Sequence, residues 1–467
     1  MWRMSAVRQA AAVRTGAVSA VALLEQHLAR IAEVNPVVNA ITQLLAEQAY
    51  RDAADVDRQR AAGVALGPFA GVPFTVKENL AVAGVPTTHG ASRLRHLVAG
   101  ADAPPVARLR AAGAVVIGHS NMPTLTLAGM HTRSELFGDS VNPWHRGRTP
   151  GGSSGGDGIA VATGMAALGL GNDAGGSVRI PAAFCGVAAL KPTSGRFPAD
   201  HRIGADDPGW CSQSFVVDGP LARSVADLRV AFEVLAGADP GDPRAVPVPL
   251  DGEPLPGPIR VAVVTDPGGL GVHPAVVRAV EAAAEALRAA GYVVEQVPDV
   301  PRLPEALQAY QSMVMTEFAP VWPAIRGLLG ADAHRYIELG MAQAPPVEVA
   351  EFLRLTGVRL GIQRAWGEFL RRYPLLLGPV FTQPPVEPGI EMRDAAGRAL
   401  VTTAMRLCTV TSFVGVPAVA VPTGIVDGLP AGVQIVGRAF REDTCLNAAE
   451  AIESRLGTLT PIGPVAG

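Results

Sequence analysis

Residues 149–186, TPGGSSGGDGIAVATGMAALGLGNDAGGSVRIPAAFCG, decide how this chain is read. They hold two glycine–serine clusters, Gly151–Gly156 and Gly175-Gly176-Ser177, and Ser153 stands 24 residues before Ser177. Glycine frees φ and lets backbone N–H groups come close to a ligand. A helix starting after the first cluster raises the question of phosphate binding. No Gly-Lys-Ser/Thr follows, which removes the P-loop, and the spacing does not match the G-x-G-x-x-G dinucleotide fingerprint. A lone cluster of this kind is more often a plain loop. Two of them, each presenting a serine, favour nucleophilic chemistry.

A serine nucleophile needs a base. The nine histidines (His27, His89, His96, His119, His131, His145, His201, His273 and His334) include no His-Glu-x-x-His pair, and none of them sits in a G-x-S-x-G context. With the cysteines they show no zinc spacing, and most read as surface or hydrogen-bonded side chains. Lysine says more. Lys77 in TVKEN and Lys191 in ALKPT are the two lysines of the chain; every other one of its 39 basic residues is arginine. Arginine keeps its proton in a protein, whereas a desolvated lysine can release it near neutral pH. Lys77, with Val72, Phe74 and Val76 before it, is therefore a candidate base, weighed against a plain solvated charge. Lys191, followed by Pro192, reads as a structural hydrogen-bonding or ion-pairing residue.

Composition narrows the function classes further. The 467 residues set a soft prior of about three domains. With 39 basic and 42 acidic side chains the net charge is −3, so nucleic-acid binding lacks its main electrostatic attraction. The apolar fraction of 48% supplies a large core, and 52 Gly plus 40 Pro stay below the ~25–30% of low-complexity chains. Cys185, Cys211, Cys408 and Cys445 are widely spaced without Cys-x-x-Cys and read as buried small hydrophobes. No run approaches the ~20 apolar residues of a membrane span. The Arg- and Ala-rich start reads as an amphipathic helix with Ser19 as N-cap rather than as a targeting peptide. A cytoplasmic location is the default expectation.

Along the chain, residues 1–65 are expected to be an N-terminal helical segment packed on the core, two Ala-rich helices broken near Asn35-Pro36. From Gly67 the short runs GVPFTVKE, AVVIGH, VAALKP and SFVVDGP alternate with helical stretches such as Val106–Ala112 and Gly158–Gly169. That alternation predicts an α/β sheet covered by helices. Residues 239–258 read as a Pro- and Gly-rich linker or hinge. A βαβ-like unit follows (IRVAVVTD, a helix over His273–Ala290, YVVEQV), then a mostly helical stretch over 303–372. LLLGPV, AVAVPTGI and AGVQIVGRA return to strand before a closing helix from Thr444 to Arg455.

In this order, GVPFTVKEN, NPW (142–144), PGGSSGG, GGSVRIPAAFCG, LKPTSGR (190–196), GPLARSVADL (219–228) and GLPAGVQIVG (428–437) resemble the amidase signature family, from about residue 70 to about 440. The resemblance implies a mixed central β-sheet covered on both faces by helices. Residues 66–467 would form a single α/β/α domain, with a more variable, mostly helical region at about 300–372. It implies a Ser–cis-Ser–Lys triad: Ser177 as nucleophile, Ser153 after a cis peptide as bridge, and Lys77 as base. Backbone N–H groups of Ala174, Gly175, Gly176 and Ser177 would form the oxyanion hole, with Ser154, Asp173 and Arg179 in support. The implied reaction is hydrolysis of a linear carboxamide or related acyl–nitrogen bond to carboxylate plus ammonia or amine, through an acyl-enzyme on Ser177. It needs a small-molecule amide and no cofactor, metal, nucleic acid or membrane, and it leaves a homodimer open. Residues 122–137 and 303–372 would line part of the substrate pocket. Asp157, Asn172 and Ser194 depart from the family's common residues, which bears on substrate preference.

Two other functions share parts of this pattern. The glutaminase subunit of a glutamyl-tRNA amidotransferase has the same triad, but no Tyr-Asp-Gly-Val-Arg-Tyr-like segment follows the signature here. A catalytically inactive scaffold that binds a small ligand is disfavoured because Lys77, Ser153 and Ser177 are all present.

Overall fold

The computed structural model describes residues 1–127 and 129–464. Its strands are β1 (Ile41–Leu44), β2 (Pro73–Lys77), β3 (Val115–Ser120), β4 (Arg133–Ser134), β5 (Gly138–Asp139), β6 (Leu168–Asp173), β7 (Ala188–Lys191), β8 (Val217–Ala222), β9 (Arg260–Val263), β10 (Val293–Gln296), β11 (Leu375–Pro379), β12 (Ala418–Val426) and β13 (Leu429–Gly437). Eleven of them form one sheet in the order β1-β3-β2-β6-β8-β7-β12-β13-β11-β9-β10, and β4 pairs with β5 apart from it. The sheet is mixed: β2 runs parallel to β3 and β6, while β8 is antiparallel to both β6 and β7.

The inner strands β2, β3, β6, β7 and β8 are buried along their whole length. Strands covered on both faces read as apolar runs rather than as alternating patterns, which is how PFTVK and VVIGHS read. Successive side chains still point to opposite faces. On β3, Val116 joins one core layer and Val115 and Ile117 the other. The first layer is covered by the helices Pro104–Ala111, Val225–Leu235, Pro274–Ala289 and Glu442–Leu456. The second is covered by Ala20–Val38, Ala46–Ala61, Gly155–Ala162 and Arg179–Cys185. A third apolar cluster ties the helices Leu303–Ile325, Val349–Arg372 and Arg406–Val414 together.

Two expectations change. Residues 1–65 hold three helices, and β1 among them pairs with β3, so this segment supplies an edge strand of the sheet. Its second helix runs through Pro36 and stops where Asn39 turns left-handed (φ +48°). There Asn35 Oδ1 accepts from the N–H groups of Ala40 and Ile41 at 2.9 Å each, a local bond that ends the helix and starts the strand. The helix expected over Gly158–Gly169 is split. It ends at Ala162, and Leu168–Asp173 is strand β6, between the two glycine–serine clusters. Gly169 and Gly171 make that strand possible here, since a Cβ on either would press into Asp157 or Ser154 of the preceding helix start.

Candidate active site

Parallel β2 and β6 end at Lys77 and Asp173, so the lysine and the second glycine–serine cluster emerge at the same end of the sheet. Lys77 Nζ lies 2.6 Å from Ser153 Oγ and donates to Asn172 Oδ1, also at 2.6 Å. All three side chains are buried. Asn172 is itself fixed, because its Nδ2 donates to Asn79 Oδ1 at 3.1 Å. The Gly152–Ser153 peptide is cis. Burial pushes the lysine down to about 7, against the opposing pull of the Asp157, Asp173 and Asp218 carboxylates.

Ser177 joins this group through its backbone: its carbonyl accepts from Ser154 N–H at 3.0 Å, seating one serine cluster on the other. Its half-buried hydroxyl makes no hydrogen bond among the described residues. The Ser154 hydroxyl turns to the Asn172 carbonyl at 3.4 Å, a long contact. Of the four amides from Ala174 to Ser177, that of Gly176 is taken by Asp173 Oδ1 at 2.6 Å. The other three find no acceptor among the described residues.

Asp173 and Arg179 form a fully buried ion pair, with Arg179 Nη2 and Nε at 2.9 and 3.0 Å from the two carboxylate oxygens. Val178 N–H and Ser412 Oγ each add a bond to Asp173 at 3.2 Å. Arg179 spends its remaining donors on Thr411, Gln434, Ser412 and the Cys408 carbonyl. A buried pair is stable only when satisfied in this way, and the arginine holds the Asp173 carboxyl well below the usual carboxylate range.

Several residues around Lys77 and the Ala174–Ser177 loop carry no chemical role in the sequence reading. Asn172 and Asp157 are visible there only as departures from a pattern. Asp157 Oδ1 accepts from Thr75 Oγ1 at 2.7 Å, its Oδ2 has no partner among the described residues, and burial pushes it up to about 6. Asp218, paired with His201 at 2.9 Å, and Tyr310, whose hydroxyl donates to the Ala174 carbonyl at 3.1 Å, have no local signal at all. They reach the site only because β8 and the helix Leu303–Ile325 pack there.

The two segments expected around the pocket do meet. Leu127 packs against Leu329, Ala333 and Ile337, and Arg133 pairs with Asp332 at 3.4 Å. Thr132 Oγ1 donates to the Gly151 carbonyl at 2.7 Å, so the 122–137 segment also rests on the serine loop. The cysteines are free and buried. His27 is buried and hydrogen-bonded between Gln9 and the Met165 carbonyl, whereas His119 is buried with neither ring nitrogen in a hydrogen bond among the described residues. Among the described residues no three His, Cys, Asp or Glu side chains could hold a metal ion, and no helix is long and apolar enough to cross a membrane.

The family model described as Amidase matches residues 22–446. An indoleacetamide hydrolase of Bradyrhizobium diazoefficiens is 39% identical over 98% of this chain and 88% of its own length. A glutamyl-tRNA(Gln) amidotransferase subunit of Symbiobacterium thermophilum is 34% identical, covering 96% of each. Among solved structures, 6-aminohexanoate cyclic dimer hydrolase in complex with its substrate superposes with a TM-score of 0.84 at 30% identity, covering 98% of both chains. With the mixed sheet, the helices on both faces and the buried lysine–serine contact already in place, the chain belongs to the amidase family and is a hydrolase of amide carbon–nitrogen bonds.

Proposed function

We propose that Ser177 attacks the amide carbonyl, with Lys77 as the base acting through Ser153. The observation that carries this reading is the buried 2.6 Å contact between Lys77 Nζ and Ser153 Oγ, made by an amine that burial pushes down to about 7. A neutral amine has one lone pair, and Asn172 Oδ1 occupies one of its N–H groups. The lone pair is then available to Ser153, which takes the proton of Ser177 as that oxygen bonds to the carbonyl carbon. The negative charge formed on the carbonyl oxygen meets the unpaired amides of Ala174, Gly175 and Ser177. The proton returns along the same path to the leaving nitrogen, the C–N bond breaks, and ammonia or amine departs. Water, deprotonated by the same relay, then hydrolyses the ester on Ser177 and releases the carboxylate.

The substrate we infer is the primary amide of an arylacetic acid, and the 39% identity to an indoleacetamide hydrolase supports it. So does the aromatic cluster beside the Ala174–Ser177 loop, where Tyr310 stands 5.4 Å from Phe215 and 6.2 Å from Phe413. Ammonia release from indole-3-acetamide and phenylacetamide, measured against hexanamide and glutamine without any added protein, tests this reading. Turnover of the two aryl amides ahead of hexanamide is the expected result; equal rates on all would remove the aryl preference. The 34% identity to an amidotransferase subunit supports a second reading, a glutaminase that works with partner subunits. Glutamine as the best substrate in the same assay would favour it.

A further inference from the structure

The Gly175 and Gly176 peptides can rotate more freely than those flanked by side chains, because neither residue carries a Cβ, and Gly176 sits at φ +129°. A loop of this kind does not hold its amides in one direction by itself. Two side chains hold it here, one at each of two neighbouring peptides. Asp173 Oδ1 takes the Gly176 N–H, and the Tyr310 hydroxyl donates to the Ala174 carbonyl at 3.1 Å. A trans peptide is planar, and its C=O and N–H point in opposite directions. Binding the Ala174 carbonyl therefore turns the Gly175 N–H away from Tyr310, and that amide has no acceptor of its own among the described residues.

Tyr310 is well placed to act as such a clamp. It stands on the helix Leu303–Ile325, outside the glycine–serine segment, with its ring against Phe215 and Phe413. Space at the loop is tight: a Cβ on Gly175 would lie 3.3 Å from the Tyr310 hydroxyl oxygen and 3.4 Å from Met405 Cε. Burial raises the phenol above its ordinary range, so it stays a donor at every working pH.

We propose that Tyr310 is a positioning residue that aims the Gly175 amide at the oxyanion formed during amide hydrolysis. This rests on the Ser177 reading above and adds to it a residue from the helical region, which acts through the backbone without touching the reacting atoms.

Tyr310→Phe keeps the ring and removes the hydroxyl. With phenylacetamide as substrate, kcat should fall about tenfold to a hundredfold with KM within about twofold, somewhat less than the loss of a whole oxyanion donor. Benzyl trifluoromethyl ketone, which forms an oxyanion when a serine adds to it, should bind more weakly by the same factor as kcat/KM. The product phenylacetate should bind as before, and the thermal melt should be unchanged. A kcat within twofold of the parent enzyme overturns the proposal, as does a loss of ketone affinity no larger than that of phenylacetate. Should the phenylalanine variant fold poorly, Tyr310→Leu read by the same ketone-to-phenylacetate ratio decides instead. Ser177→Ala, run beside them, separates the two claims: retained tight ketone binding there sinks the nucleophile assignment whatever Tyr310 does.

Discussion

β2 and β7 each end on a fully buried lysine, Lys77 and Lys191, and burial pushes both ammonium groups down to about 7. Burial acts on both in the same direction. Their partners differ. Lys191 Nζ donates to the carbonyl of its neighbour Pro192 at 2.9 Å and meets no hydroxyl among the described residues. Lys77 Nζ meets the Ser153 hydroxyl and the Asn172 carbonyl oxygen. A lowered pKa lets a lysine give up its proton, but a base also needs a group from which to take one. The difference lies in the strand next door: β2 borders β6, with its serine loops, whereas β7 lies between β8 and β12.

The widest gap between the two strand ends should come from Ser177→Ala. That variant is expected to lose at least about 10⁴-fold in kcat with phenylacetamide, and measurable turnover near the parent level would dissolve the contrast altogether. Lys77→Ala and Lys77→Arg should each cost about 10²–10⁴-fold. The arginine variant is the sharper of the two, since it keeps the charge and cannot become neutral; normal activity in it would show that only charge matters at this position.

The pH profile comes next. The working form of Lys77 is the neutral one, so kcat/KM should fall about tenfold per unit below pH ~7 and level off above it. Both lysines titrate in this range, so the profile alone does not assign the limb. Lys191→Met should leave both the limb and kcat within about threefold of the parent, and disappearance of the limb in that variant would reverse the assignment. The smallest effect of substitution within the Lys77 contact is expected from Asn172→Leu, about tenfold in kcat with little change in KM, because it frees an N–H group without removing the base. A change in KM alone would make Asn172 a substrate contact instead.

Much of this contrast is open to reading in the chain itself. Two glycine–serine clusters and a lysine in an apolar strand point to the same chemistry, because glycine at a close approach and serine beside a base are requirements of local chemistry. The strand between the clusters is not readable: LGLGND has the weak pattern of a glycine-containing strand, and its glycines answer to Asp157 and Ser154 across the packing, not to the strand's own neighbours. β1 escapes sequence reading for a related reason, since an edge strand of four residues is defined by its pairing with β3. Asn172 and Asp157 can be seen as unusual residues, yet not as neighbours of the lysine.

The order of residues along the chain was enough to establish the family and the mixed α/β architecture and to propose three side chains for catalysis, since those depend on short motifs in a fixed order. Which of two equally buried lysines touches a serine, where Tyr310 and Asp218 arrive, and which backbone amides stay unpaired were decided by strand order and helix packing. Those contacts join residues far apart in the chain, and burial alone, the property that local sequence reports best, is the same for both lysines.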